Sequence, residues 1–314
     1  MLVSQGVKAI IRPPRQVYQL NEIPQFNEIP GYGSILRIGF AVVSKRGYRM
    51  YGSFYESPDA ISGNPVVFYL HGNASNQLEG RFAVSLFVPL GISVCCFDFI
   101  GCGASEGDYV TLGHFEVDDT NALIEQICDT FNCTKFAIWG RSMGAATAIL
   151  YAAKYKTPKA IVADSSFTSL VDLAKQISKQ RLIPESIFNS LFPSIKEQIL
   201  KQLDFDVDSL DILEAVKQVT VPITFIHGEK DDFISPMNSQ ILYSLCPSKD
   251  KKLKMVKGSH NTDRSQSVLL DTTTFICHHL GLDVEFEVSD EEETNQGSRQ
   301  HFSNFEELFK NLKF

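Results

Sequence analysis

The stretch "FAIWGRSMGAATAIL", residues 136–150, decides how this chain is read. Strand-forming apolar residues run up to Gly140, and a helical pattern of small residues follows. Between two glycines stands one hydroxyl, that of Ser142. A sharp strand-to-helix turn strains the backbone at its apex and leaves no room for side chains two positions before and after it. Gly140 and Gly144 meet that demand. Gly-Arg-Ser-Met-Gly is therefore a candidate nucleophile elbow that presents Ser142 to solvent. The helix starting there points its positive end at any negative charge that develops beside the serine.

A serine hydroxyl becomes a nucleophile only when a base takes its proton and an acid orients the base. After an elbow, acid and histidine follow in that order, each past a later strand. "FIHGEKDDFISP" (225–236) supplies Asp231 and Asp232, and "VKGSHN" (256–261) supplies His260. Asp164, in "VADSSF", also ends a strand and is an alternative acid. The other histidines fit less well. His71 and His227 precede glycines at strand ends, His114 and His301 fall outside the expected order or fold, and His278 and His279 sit in an apolar helix. "YLHGNASN" (69–76) ends an earlier strand. There the backbone N–H of Asn73 is expected to join that of Met143 in an oxyanion hole.

Outward from the elbow, apolar runs alternate with helical patterns. "PVVFYL", "ISVCCFDF", "KFAIWG", "AIVAD", "VPITFIHG" and "KKLKMVKG" read as strands; 76–89, 115–131, 143–155, 236–245 and 263–280 read as helices. The expected fold is α/β: a mostly parallel central sheet with helices on both faces. "SILRIGFAVVS" and "RMYGSFYES", split by Lys-Arg-Gly, add an antiparallel N-terminal hairpin. "RPPR" (12–15) is expected to hold an N-terminal arm extended, and "NEIPQFNEIP" (21–30) is too short a duplication to be a repeat architecture. The hydrolytic body is placed at 1–282, with a small helical cap inserted at about 168–215. An acidic linker at 283–300 and an amphipathic helix at 301–314 follow. That helix is expected to dock on the protein's own surface, or to make a peripheral membrane or protein contact.

Composition narrows the function further. The net charge is −8, and "DVEFEVSDEEE" (283–293) holds seven acids, so the body is nearly neutral and has no basic stripe for nucleic acid. Seven cysteines without a Cys-x-x-Cys suggest reduced thiols and a cytoplasmic setting. No apolar run reaches membrane-spanning length, and the first residues lack the apolar core of a signal peptide. "FDFIGCGASEG" fails as a dinucleotide fingerprint because Glu106 occupies its third glycine position. Neither a phosphate loop nor His-Glu-x-x-His is present, so no cofactor or metal is expected.

Taken together, "HGNAS", "FDFIGCGASEG", "GRSMGAAT", "DSSFTSL", "HGEKDD" and "GSH" make the chain resemble the α/β-hydrolase superfamily over about residues 12–280. It is most similar to the branch of eukaryotic α/β-hydrolase-domain proteins related to serine aminopeptidase-like and prolyl-oligopeptidase-like hydrolases. The resemblance implies a Ser142–His260–Asp231 triad, with Asp231 favoured over Asp232 by its distance from His-Gly. It also implies that Asp98 and Ser105 hold the "FDFIGCGASEG" loop by hydrogen bonds. The expected activity is a serine hydrolase acting on a small-molecule or acylated substrate, an ester or thioester with an apolar acyl group. A peptidase acting on small peptides, or a non-catalytic scaffold, are the alternatives.

Overall fold

The computed structural model describes residues 2–12 and 14–286. Its strands are β1 (Phe26–Ile29), β2 (Gly33–Val43), β3 (Arg49–Tyr55), β4 (Val66–Leu70), β5 (Ser93–Phe97), β6 (Phe136–Arg141), β7 (Ile161–Asp164), β8 (Ile223–Gly228) and β9 (Lys251–Val256). They form one sheet in the order β1-β2-β3-β5-β4-β6-β7-β8-β9. Pairing is antiparallel from β1 through β3 to β5 and parallel from β5 to β9. This is the α/β-hydrolase fold: a mostly parallel sheet fed by an antiparallel hairpin.

The central strands read as unbroken apolar runs because both faces are covered. On β4, Val66, Phe68 and Leu70 belong to one core, while Val67 and Tyr69 belong to another on the opposite face. Helices α3 (Glu116–Phe131) and α4 (Met143–Tyr155) cover the first face, and α2 (Phe82–Phe87) and α9 (Gln266–Leu280) the second. Between β7 and β8 the chain makes α5 (Leu170–Gln180), α6 (Glu185–Leu203) and the short α7 (Ile212–Val216), and α8 (Met237–Leu245) precedes β9.

Two elements escape the sequence reading. Residues Leu2–Ile11 form a helix, α1, where only an extended arm is expected. It packs on α6, with Val7, Ile10 and Ile11 buried; Gly6 faces the Ile195 side chain so closely that a Cβ there would displace the Ile195 terminal methyl. The stretch that follows, residues 14–19, forms no regular element. Arg15 fastens it by donating to the carbonyls of Gly101 (2.8 Å), Ser105 (3.3 Å) and Gly107 (2.5 Å). The second missed element is β1, which takes part of the duplicated phrase and pairs with β2.

The loop after β5 is held much as the resemblance implies. Asp98 accepts from the amides of Gln77 (2.6 Å) and Ala104 (2.8 Å), and the Ser105 hydroxyl donates to the Asp98 carbonyl at 2.7 Å. Of the expected acidic linker only residues up to 286 are described, and the helix expected at 301–314 lies outside the described residues. Among the described residues no helix is long and apolar enough to cross a membrane.

Trp139 of β6 anchors the second core. Its ring centroid lies 5.3 Å from that of Phe82, 6.4 Å from Tyr69 and 6.5 Å from Phe87. Trp139→Ala should destabilise the fold by about 3–5 kcal/mol, read as a lowered midpoint in urea denaturation.

Candidate active site

The strand order turns around β4, and the loops at the carboxyl ends of the parallel strands converge beside it. β4 delivers His71–Asn73, β6 delivers Ser142, β8 delivers Asp231, and the loop after β9 delivers His260. Ser142 has φ 52° and ψ −114°, a conformation that non-glycine residues rarely adopt. A Cβ at Gly140 would overlap the carbonyl of Gly144, and one at Gly144 would overlap the carbonyl of Leu70. Both glycines therefore stand where backbone meets backbone.

His260 bridges the hydroxyl and the carboxylate. Its Nε2 lies 3.2 Å from Ser142 Oγ, and its Nδ1 lies 2.7 Å from Asp231 Oδ2. The other carboxylate oxygen accepts the amides of Phe233 (3.0 Å) and Ile234 (2.7 Å). Burial by itself would raise the Asp231 carboxyl. Hydrogen bonds from His227 and His260, the charge of His260 and the Ile234 amide outweigh it, and hold the group well below the usual carboxylate range. Asp232, its neighbour in sequence, is exposed. On the far side Arg141 donates to the His260 carbonyl at 2.7 Å, tying the histidine loop to the elbow.

Asp164, the alternative acid, is already committed. Arg264 grips it through Nε (2.9 Å) and Nη2 (2.6 Å), and both side chains are nearly fully buried. Its backbone carbonyl accepts the Ser142 amide at 2.8 Å. Asp164 thus supports the elbow from below instead of facing the histidine.

Among the described residues the Asn73 and Met143 amides have no hydrogen-bond acceptor, and both residues border the cavity over Ser142. The neighbouring Gly72 amide points at the Glu79 carboxylate, 3.3 Å from each oxygen, and Glu79 also accepts from the Tyr69 hydroxyl at 2.9 Å. Sequence reasoning passed over Glu79, whose reach to the glycine turn depends on a 3-10 segment, Gln77–Arg81, that periodicity does not reveal.

The cavity measures about 590 Å³. Ser142, His260 and Arg141 line its base, and Ile10, Leu112, Phe167, Leu170, Leu173 and Ile177 form an apolar wall. Ile10 comes from the helix missed in the sequence. His227 was missed in a different sense: set aside as a strand-end residue, it lies with Nε2 3.1 Å from Asp231 Oδ2. Among the described residues no group of three or more His, Cys, Asp or Glu side chains is arranged to hold a metal.

Comparison with known proteins agrees with this architecture. A family profile described as "alpha/beta hydrolase fold" matches residues 65–182. Protein bem46 of Schizosaccharomyces pombe is 29% identical over 212 residues, covering 66% of this chain and 64% of that protein. The lysophosphatidylserine lipase ABHD12 of Danio rerio is 27% identical over 191 residues, covering 59% of this chain and 48% of that protein. The chain therefore spans less than two thirds of the length of either relative. Among solved structures, the Pyrococcus furiosus esterase Pf2001 superposes with a TM-score of 0.65 at 20% identity, covering 85% of this chain and 98% of that one.

Two outcomes follow from the buried charges. Arg264→Leu leaves the Asp164 carboxylate buried without its partner and should cost about 3–5 kcal/mol, while Arg264→Leu/Asp164→Leu should recover most of that in guanidinium denaturation. Asp231 has a folded pKa below its unfolded one, so its stabilisation is complete above the ordinary carboxylate range and is lost as pH falls through and below it. Asp231→Asn should therefore lose less stability than the wild type between about pH 5 and pH 3, measured by the urea midpoint at each pH.

Proposed function

The chain belongs to the α/β-hydrolase superfamily, and from that premise we propose that it is a serine hydrolase that cleaves a carboxylic ester or thioester with an apolar acyl group. One observation carries the reading: the run Ser142 Oγ–His260–Asp231, with steps of 3.2 and 2.7 Å, at a cavity whose apolar wall stands beside polar residues such as Gln180, Arg181 and Asn261.

In this mechanism His260 Nε2 takes the Ser142 proton as Oγ bonds to the substrate carbonyl carbon. Asp231 keeps the remaining imidazole proton on Nδ1 and stabilises the imidazolium. The negative charge on the carbonyl oxygen is received by the amides of Asn73 and Met143 and by the positive end of α4. As the tetrahedral species collapses, the bond to the leaving oxygen or sulfur breaks. His260 returns its proton to that group, and the acyl chain stays on Ser142. Water, deprotonated by His260, then attacks the acyl carbon, and the acid departs as Ser142 regains its proton. The wall from α1 and α5 suits the acyl chain; a lipase among the relatives fits the same substrate chemistry. The inserted helices α5 and α6 act in this reading as the cap of the pocket.

A fluorophosphonate probe should label the wild type and leave Ser142→Ala unmodified. That variant should lose roughly 10⁴-fold or more in kcat on p-nitrophenyl esters. Across an ester series from acetyl upward, kcat/KM should rise with acyl length before the pocket fills. A steep fall beyond acetyl would remove the apolar-pocket assignment, and faster turnover of aminoacyl amides than of esters would favour a peptidase. An unlabelled wild type would instead point to a non-catalytic scaffold.

A further inference from the structure

We propose that His227 is a positioning residue for the hydrolytic relay, an Nε2-protonated imidazole that shares the Asp231 carboxylate with His260 and limits how strongly that carboxylate holds the catalytic ring. The inference rests on the reading of Ser142, His260 and Asp231 given above.

His227 is the penultimate residue of β8, and its side chain is fully enclosed. Two contacts fix which nitrogen carries the proton. Nε2 lies 2.8 Å from the Ile234 carbonyl, which can only accept, so Nε2 is the donor. Nδ1 lies 2.7 Å from the Ser239 hydroxyl of α8, which donates to it when the ring carries a single proton, on Nε2. The same Nε2–H also lies against Asp231 Oδ2 at 3.1 Å. The shorter contact goes to Ile234 and the longer one to the carboxylate. The oxygen in question is the one that receives His260 Nδ1 at 2.7 Å.

Two imidazole rings therefore compete for one oxygen, while two backbone amides occupy the other. A carboxylate with four donors around it is a weaker base toward each of them than one with three. His227 also ties together three pieces of chain, the end of β8, the turn carrying Asp231 and the start of α8, so the carboxylate cannot swing away from His260. Filling the core does not require this arrangement. An apolar residue would fill the space without placing an N–H at that oxygen.

The charged surroundings leave His227 a clear influence. Asp164 on β7 and Arg264 neutralise each other through two hydrogen bonds. α8 carries no charged side chain. On β9, Lys254 is paired with Asp271, and Lys251 donates to the carbonyls of Tyr243 and Cys246. Glu229, Lys230 and Asp232 on the Asp231 turn are exposed, and Arg141 is bound to the His260 carbonyl. Lys252 of β9 lies over the Phe275 ring and Tyr243 of α8 lies under Lys251, so Asp231 and His260 are the titratable side chains in contact at this junction.

The test uses the full chain with His227→Leu, His227→Gln and Ser239→Ala, assayed on soluble p-nitrophenyl esters across pH. Active sites are counted by fluorophosphonate titration, so misfolded protein drops out of the rates. Without the competing N–H, Asp231 holds the imidazolium more tightly. In His227→Leu the low-pH limb of kcat/KM should move up by about half to one pH unit, kcat should fall about tenfold, and KM should stay within about twofold. His227→Gln, which keeps an N–H donor, should hold the limb near its wild-type position. Ser239→Ala, which removes the partner that holds the ring at Nδ1 and so loosens the Nε2–H at Asp231, should give a smaller shift in the same direction. A limb that stays put or moves down in both His227→Leu and Ser239→Ala, or a Gln variant as impaired as the Leu variant, would overturn the proposal. Nitrogen-15 NMR of the wild-type ring at pH 8 provides an arm independent of turnover: the proposal requires a protonated Nε2 and a bare Nδ1 at His227, and the reverse tautomer refutes it. If fluorophosphonate fails to label the wild type, the hydrolase reading falls, while the NMR arm still reports on His227 alone. If His227→Leu does not fold, Ser239→Ala and the tautomer decide.

Discussion

Backbone pressed against backbone at the end of β6 governs this site. The first turn of α4 lies so close to the ends of β4 and β6 that neither Gly140 nor Gly144 has room for a Cβ, and Ser142 between them is held at φ 52°. A residue in such a conformation costs of order 1–3 kcal/mol and persists only where its surroundings over-determine it. The surroundings here are the parallel pairing of β6 with β4 and β7, and the bond from the Ser142 amide to the Asp164 carbonyl. The sheet fixes both ends of the turn, and the apex has no freedom to relax. The same closeness leaves the Met143 amide free of a protein acceptor among the described residues, and Met143 borders the cavity that Ser142 also borders.

Two aspartates at successive strand ends show why burial alone does not define a catalytic acid. Asp164 and Asp231 are both buried; the first ends β7 and the second lies on the turn after β8. Asp164 is matched by a guanidinium, a permanent cation with fork geometry that fits a carboxylate at two points. The guanidinium keeps its charge, so the pair can only hold structure. Asp231 faces imidazole, whose charge changes as the serine gives up its proton. Its carboxylate also has backbone and side-chain donors enough to remain ionised throughout. The chemistry follows the partner's titration, and the partner is set by which strand end the histidine loop follows.

Much of this was legible from the chain. Strands buried on two faces appear as unbroken apolar runs, and an elbow needs glycines at fixed offsets, so β4 to β9 and the order serine, acid, histidine could be read directly. What stayed hidden depends on contacts between distant segments. α1 contains Gly6, which lowers its helical signal, and the Ile195 side chain it faces lies far along the sequence. β1 is four residues long and owes its existence to the neighbouring edge of β2. His227 precedes a glycine and reads as a strand end; only the fold of the turn over 229–234 carries its ring back to Asp231. Choosing Asp231 over Asp232 needed a family resemblance, since adjacent aspartates give the same local signal.

The cavity separates reaction from selection. Hydroxyl, imidazole, carboxylate and free amides all sit at strand ends, where hydrogen-bonded neighbours fix their positions. The apolar wall is assembled from α1, loop residues at 112 and 167 and α5, none of which belongs to the sheet. Helices packed through side chains can shift or change sequence without disturbing the ladder that positions Ser142, whereas a change at Gly140 or Gly144 cannot be absorbed. In the proposed hydrolase the choice of acyl group would accordingly fall to α1 and α5, and the chemical step to the groups that the sheet fixes.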